Sequence, residues 1–124
     1  MPEPLPSLAG RRVLVVEDEY LIAMEVKRWL QAAGAEVIGP VPSVEQALDL
    51  IEDDGLEAAV LDVNLGNGDR AYPVADKLAS LGVPYLFATG DVMVVEASDY
   101  QRQPRVEKPY LEAELVRALA KLLR

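Results

Sequence analysis

Polar groups stand at the ends of four strand-like segments in this chain, three of them apolar runs. Glu17-Asp18 follow Arg12-Val-Leu-Val-Val16, Asp62 follows Ala58-Ala-Val-Leu61, Thr89 follows Val83-Pro-Tyr-Leu-Phe-Ala88, and Lys108 follows Arg105-Val106-Glu107. Such runs suit strands covered on both faces, and an open parallel sheet holds its site at the strand carboxyl ends, where strand order reverses. With strand order 2-1-3-4-5, Glu17, Asp18 and Asp62 converge on that crevice. Three carboxylates in one cleft repel one another, so they need a cationic companion or raised pKa values. A hard divalent cation such as Mg²⁺ meets the need, taking carboxylate oxygens together with a phosphoryl oxygen. Lys108 adds a fixed positive charge and Thr89 a hydroxyl that donates to an oxyanion. Together they form a receptor for a phosphoryl group, with one carboxylate left to act as nucleophile.

The elements between these residues must place them so. Leu21, Ile22, Val26, Trp29, Leu30 and Ala33 keep helical spacing, and Gly34 stops that helix. Ala35 to Ile38 reads as a second strand, closed by Gly39-Pro40. Ser43 and Gln46 form a capping box ahead of a helix whose buried stripe is Val44, Ala47, Leu48 and Ile51, ending at Asp53-Asp54-Gly55. After Asn64-Leu-Gly-Asn-Gly68, Pro73 suits the first turn of a third helix, with Val74, Leu78 and Leu81 inward. A fourth, weak helix is expected from Met93 to about Tyr100. Leu111, Leu115, Leu119 and Leu122 line a fifth. Tyr20, Trp29 and Tyr85 read as core or half-buried aromatics, and residues 1–10, with three prolines, as a mobile or loosely docked tail before a domain of residues 11–124. Strands alternating with helices at this spacing predict a doubly wound α/β fold: a five-stranded parallel sheet with helices on both faces, a three-layer sandwich.

Composition narrows the chemistry. The 124 residues include no cysteine and no histidine, which excludes disulfides, thiolate or imidazole metal sites, and Cys or His catalysis. A net charge of −9 repels phosphate backbones, so nucleic acid is not an expected partner. The apolar runs fall well short of the ~20 residues that span a bilayer, and no signal peptide opens the chain, so no membrane association and a cytoplasmic location are expected.

Taken singly, each polar group has a commoner structural use. Acids begin helices, Asp-x-Asn makes turns, Thr-Gly closes strands and lysines face solvent. Four in order are another matter. Val-Leu-Val-Val-Glu17-Asp18-Glu, Val-Leu-Asp62-Val-Asn64-Leu, Phe-Ala-Thr89-Gly and Lys108-Pro109-Tyr together resemble the receiver domain of bacterial two-component response regulators, a CheY-like, flavodoxin-like fold. The resemblance runs from about residue 11 to the end of the chain.

The resemblance implies the roles. Asp62 would be the phosphoacceptor, taking its group from phosphohistidine on a sensor histidine kinase or a histidine phosphotransfer protein. Glu17, Asp18, Asp62 and the backbone carbonyl of Asn64 would hold Mg²⁺. Thr89 would be the switch hydroxyl, Lys108 the phosphoryl contact, and Pro109 the cis-proline that follows it. With no length left for an output domain, the chain is expected to stand alone, to catalyse nothing beyond its own phosphorylation and dephosphorylation, and to signal to a downstream protein by contact.

Two departures stand out. Where the family commonly carries Tyr or Phe, three residues before the lysine, this chain has Arg105, which removes the usual aromatic switch. Phe-Ala-Thr-Gly, with Asp-Val-Asn-Leu and Lys-Pro-Tyr, is similar to an alphaproteobacterial subgroup (FAT GUY), but Asp91-Val92 replaces the end of its motif and adds a further carboxylate. Two other functions fit the same residues: a small Mg²⁺-dependent phosphatase with Asp62 as nucleophile, and a degenerate receiver that only binds protein.

Overall fold

Each central strand sends alternate side chains to opposite cores. In β1 (Arg12–Val16), Val13 and Val15 enter one apolar cluster, Leu14 and Val16 the other. β3 (Ala58–Asp62) divides Ala58 and Val60 from Ala59 and Leu61, and β4 (Tyr85–Thr89) divides Leu86 and Ala88 from Tyr85 and Phe87. A strand buried on both faces has to be apolar at every position, so the sequence shows runs rather than alternation. The structure, a computed structural model, describes residues 5–53, 55–66, 70–90 and 104–123.

Around these strands lie α1 (Tyr20–Ala32), β2 (Glu36–Val41), α2 (Val44–Asp53), α3 (Tyr72–Ser80), β5 (Arg105–Glu107) and α4 (Glu112–Leu122). All strand pairs are parallel, in the order β2-β1-β3-β4-β5. Val26 and Leu30 of α1 and Leu115, Val116 and Leu119 of α4 cover one face; Ala47 and Ile51 of α2 and Val74, Ala75 and Leu78 of α3 cover the other. The doubly wound three-layer architecture is therefore as the sequence predicts. The expected helix over Met93–Tyr100, Asp91 beside it, and parts of the 1–10 tail and of the turn after Asp62 lie outside the described residues.

The second strand differs from expectation. Gly39-Pro40 does not close it; β2 continues to Val41, with a register shift between Leu14 opposite Ile38 and Val16 opposite Val41. An edge strand tolerates such an irregularity because its outer side has no ladder to interrupt. Gly39 is required there: its φ is +93°, and a Cβ would lie 2.9 Å from the Val41 nitrogen and 3.0 Å from the Val15 oxygen.

Periodicity also overreached at element ends. Leu21 is 81% exposed and Tyr20 is exposed with it, because among the described residues nothing packs over the first turn of α1. Leu81 is exposed in the turn after α3, and Leu111 is exposed at the N-cap of α4 in an extended conformation, outside the helical stripe. The segment before β1 carries an unforeseen anchor. Leu8 is 2% exposed in the core shared with α1 and α4, and the Leu8 and Gly10 amides donate to the carbonyls of Ala33 and Gly34 at 2.8 and 3.2 Å. These bonds satisfy carbonyls that the end of α1 leaves without helical partners.

Candidate functional site

The β1–β3 register places the acids side by side. Val16 pairs with Leu61, so the next residues, Glu17 and Asp62, leave adjacent strands at the same level. The ladders continue one step beyond the strands: Glu17 donates its N–H to Val41, Val63 to Ala88, and Lys108 to Thr89 at 2.8 Å. Glu17, Asp62 and Thr89 are buried at 5, 4 and 3% exposure, whereas Asp18 is exposed. One carboxylate oxygen from each of Glu17, Asp18 and Asp62 lies within 4.8 Å of the others.

Lys108 completes the cluster. Its Nζ is 2.8 Å from Glu17 Oε1 and 3.2 Å from Asp62 Oδ2. The Lys108–Pro109 peptide is cis, as expected. Glu17 Oε2 accepts the N–H of Glu19 at 3.1 Å, and Asp62 Oδ1 accepts the N–H of Asn64 at 3.2 Å. Thus Asp62 and Glu17 each have one oxygen on Lys108 and the other on a backbone amide two residues ahead.

Charge crowding separates the two carboxyls. Burial, the hydrogen bond with Glu17 and the charge of Glu17 push Asp62 up to about 8, against the pull of Lys108. Burial also works to raise Glu17, but bonds with Asp62, Lys108 and the Glu19 N–H outweigh it and hold it below the usual carboxylate range. The crowding thus favours retention of a proton by the pair, with Asp62 the carboxyl pushed upward and Glu17 the one held down. Burial opposes the charge on Lys108, yet its bonds to Glu17 and the field of both acids push it up to about 12.

The family model for the response regulator receiver domain matches residues 13–120. The chain belongs to that family. Among relatives of this receiver, the Mycobacterium tuberculosis transcriptional regulatory protein PdtaR is 30% identical over 113 residues, covering 88% of this chain and 55% of that protein. The receiver therefore spans about half the length of the curated relative it matches. Among solved structures, SdrG from Sphingomonas melonis Fr1 superposes with a TM-score of 0.81 at 39% identity, covering 92% of this chain and 97% of that one. The BeF3-activated conformation of SdrG from Pseudomonas melonis Fr1 gives 0.79 at 40% identity, covering 94% and 99%.

Within the receiver, the sequence-chosen residues Glu17, Asp18, Asp62 and Lys108 come together in one cluster. Thr89 ends β4 beside them, and Arg105 begins β5, opposite Phe87 in the sheet. Two features went unread in the sequence. The first is Tyr110, buried edge-to-face against Trp29 with ring centroids 6.2 Å apart. Burial, then the charge of Glu17, push its phenol up to about 12. With Leu21, Ile22, Val26, Trp29 and Pro109 it lines an apolar groove of about 430 Å³ that shares Lys108 with the acidic cluster. The second is the loop after Asp62. Asn64 Oδ1 accepts from the Gly66 N–H at 3.3 Å and from Arg70 at 3.2 Å. The Asp-x-Asn-x-Gly spacing was the available signal, since Asp and Asn side chains commonly accept the amide two residues ahead. Among the described residues, no helix is long and apolar enough to cross a membrane.

Proposed function

We propose that this receiver accepts a phosphoryl group on Asp62 from phosphohistidine, on a sensor histidine kinase or a histidine phosphotransfer protein, and signals by contact with a downstream protein. The observation that carries this reading is the placement of three carboxylates within 4.8 Å of one another, with Lys108 bridging Glu17 and Asp62. The donor set fits Mg²⁺: hard oxygens, an exposed ligand in Asp18 that leaves access from solvent, and an excess of negative charge that Lys108 alone does not balance. Glu17, Asp18, Asp62 and the Asn64 carbonyl would hold the ion. Bound there, Mg²⁺ supplies neutralisation for the acids and for the phosphoryl oxygens.

The chain's own groups do the rest. An ionised Asp62 oxygen attacks phosphorus, the P–N bond breaks, and the imidazole leaves with its electron pair and is protonated from solvent. Asp62 must first give up any proton that its crowding favours, and a cation held by the same acids would favour that release more strongly than Lys108 does alone. Because the transition state is loose, positioning and charge balance dominate the catalysis. Lys108 meets the transferred phosphoryl oxygens from the β5 side, and the Thr89 hydroxyl donates to one of them. The BeF3-activated conformation of SdrG supports extending this to the present site, because beryllofluoride has the shape and charge of a phosphoryl group. Arg105 in place of an aromatic residue supports a readout without an inward-swinging ring. The apolar groove beside Lys108 supports a protein partner rather than a small substrate to turn over, and the receiver acts as a signalling acceptor.

The test is transfer from a phosphorylated histidine phosphotransfer protein. The expected result is loss of phosphohistidine and gain of a hydroxylamine-labile acyl phosphate on this chain, with Asp62→Asn inert. Transfer that survives Asp62→Asn overturns the assignment.

A further inference from the structure

Between β3 and α3, residues 63–66 and 70–71 are tied to one another by more than main-chain bonds. Asn64 and Arg70 form an antiparallel bridge, and the Arg70 guanidinium donates to Asn64 Oδ1 at 3.2 Å. The same oxygen accepts the Gly66 N–H, while the Asn64 N–H donates to Asp62 Oδ1. On either side the loop is anchored in the core: Val63, Leu65 and Ala71 are buried, and the Ala71 N–H donates to the Val63 carbonyl at 3.0 Å. Gly66, at φ +81°, passes close enough to Asp18 that a Cβ would sit 3.1 Å from its Oδ2. Asn64 is thus held at its amide by Asp62 and at its side chain by Gly66 and Arg70.

We propose that Arg70 is a positioning residue for the metal site: by clasping Asn64 across the loop, it fixes the backbone carbonyl of Asn64 toward the cation and keeps the Asn64 amide on Asp62. This rests on the reading of Glu17, Asp18, Asp62 and Asn64 as the Mg²⁺ site. Arg70 and Asn64 are both exposed, so the clasp adds little to the stability of the fold. Its effect lies in restricting one loop conformation, and groups that orient metal ligands in this way raise affinity without touching the ion.

The sign of the effect separates positioning from simple electrostatics. Arg70 is a cation close to a cation site. If it were only a neighbouring charge, Arg70→Ala would tighten Mg²⁺ binding; if it positions Asn64, the same change loosens it.

The experiment is isothermal titration of Mg²⁺ into the metal-free full chain, for wild type, Arg70→Ala, Arg70→Lys, Asn64→Ala and the Arg70→Ala/Asn64→Ala double variant, with unfolding midpoints in chelator as the folding control. Arg70→Ala should weaken Mg²⁺ about three- to tenfold, toward the low end of what such orienting groups contribute because the contact is solvent-exposed. Asn64→Ala, which keeps the carbonyl, should lose a similar factor, and the double variant should lose no more than either single one. Arg70→Lys should bind closer to wild type than Arg70→Ala does. Unchanged or tighter binding in Arg70→Ala, or losses that add in the double variant, would overturn the proposal while leaving the metal site standing. No Mg²⁺ binding by wild type would overturn the site reading itself, and this inference with it.

Discussion

Lys108 reaches past the ends of β4 and β3 to meet Glu17, with Nζ 2.8 Å from Oε1, closer than the 3.2 Å that separates it from Asp62. The lysine thus lies nearest the acid whose pKa is held down, while Asp62 is the one pushed upward. The site is a crowded balance of charge: one ammonium, the two buried acids Glu17 and Asp62, and the exposed Asp18. Any cation or phosphoryl group that enters must redistribute it.

Removing the lysine should raise the Asp62 pKa further. Lys108 is the group that opposes burial and the Glu17 charge there, so Lys108→Met should move the Asp62 titration above about 8 in a ¹³C-detected NMR experiment on metal-free protein. It should also destabilise the fold by about 3 kcal/mol at neutral pH, because it strands a buried carboxylate. Phosphorylation should largely survive, and partner binding by the phosphorylated form should fall. An unmoved Asp62 titration would show that the lysine does not govern the pair.

Stability of the metal-free chain should fall as pH rises from about 5 to 8. The folded Asp62 pKa lies above its unfolded value, so the native state holds a proton that the unfolded chain has released, and raising pH through that window favours unfolding. The slope is bounded at about 1.4 kcal/mol per pH unit, the value for one whole proton. Glu17 has the opposite sign: its lowered pKa contributes stability above the ordinary carboxylate range, lost only as pH falls below it. Thermal melts in chelator should therefore lose their slope above pH 5 in Asp62→Asn. A slope that persists in that variant would place the titrating proton elsewhere.

Asp18 separates metal binding from folding. Because it is exposed while Glu17 and Asp62 are buried, Asp18→Asn should leave the metal-free unfolding midpoint within about 2 °C of wild type. Mg²⁺ affinity, measured by calorimetry, should drop at least about tenfold from loss of one charged ligand. Equal affinity in the variant would remove Asp18 from the site.

Leu8 should behave as a core residue. Leu8→Ala should cost about 2–4 kcal/mol in denaturant unfolding, as for other buried leucines. A change under about 0.5 kcal/mol, the usual surface value, would mean that the segment before β1 is dispensable.

Much of this site was legible because it depends on strand ends. A two-sided parallel sheet demands apolar runs, so the first polar residue after each run marks the carboxyl edge, and Glu17, Asp62 and Thr89 are such residues; Lys108 instead follows the short edge strand Arg105-Val106-Glu107, which has no apolar run. What stayed hidden depends on contacts between distant segments. Leu8 sits among prolines and has no periodic neighbours, so nothing local marks it as buried. Leu21, Leu81 and Leu111 fit an apolar pattern, yet they stand where an element begins or ends and, among the described residues, nothing covers them. The strand through Gly39-Pro40 was lost because local propensity outweighed an edge position that only the sheet reveals. The Asn64–Arg70 clasp joins residues six apart in a turn, a spacing that no helical or strand periodicity selects.

Intact-mass spectrometry decides whether Asp62 is the acceptor in a cation-dependent site. Wild type and Asp62→Asn are incubated with acetyl phosphate, each in Mg²⁺ and in chelator. A single phosphoryl adduct is expected in wild type with Mg²⁺, little in chelator and none in the variant. An adduct that persists in Asp62→Asn, or that forms equally without a divalent cation, would contradict that assignment.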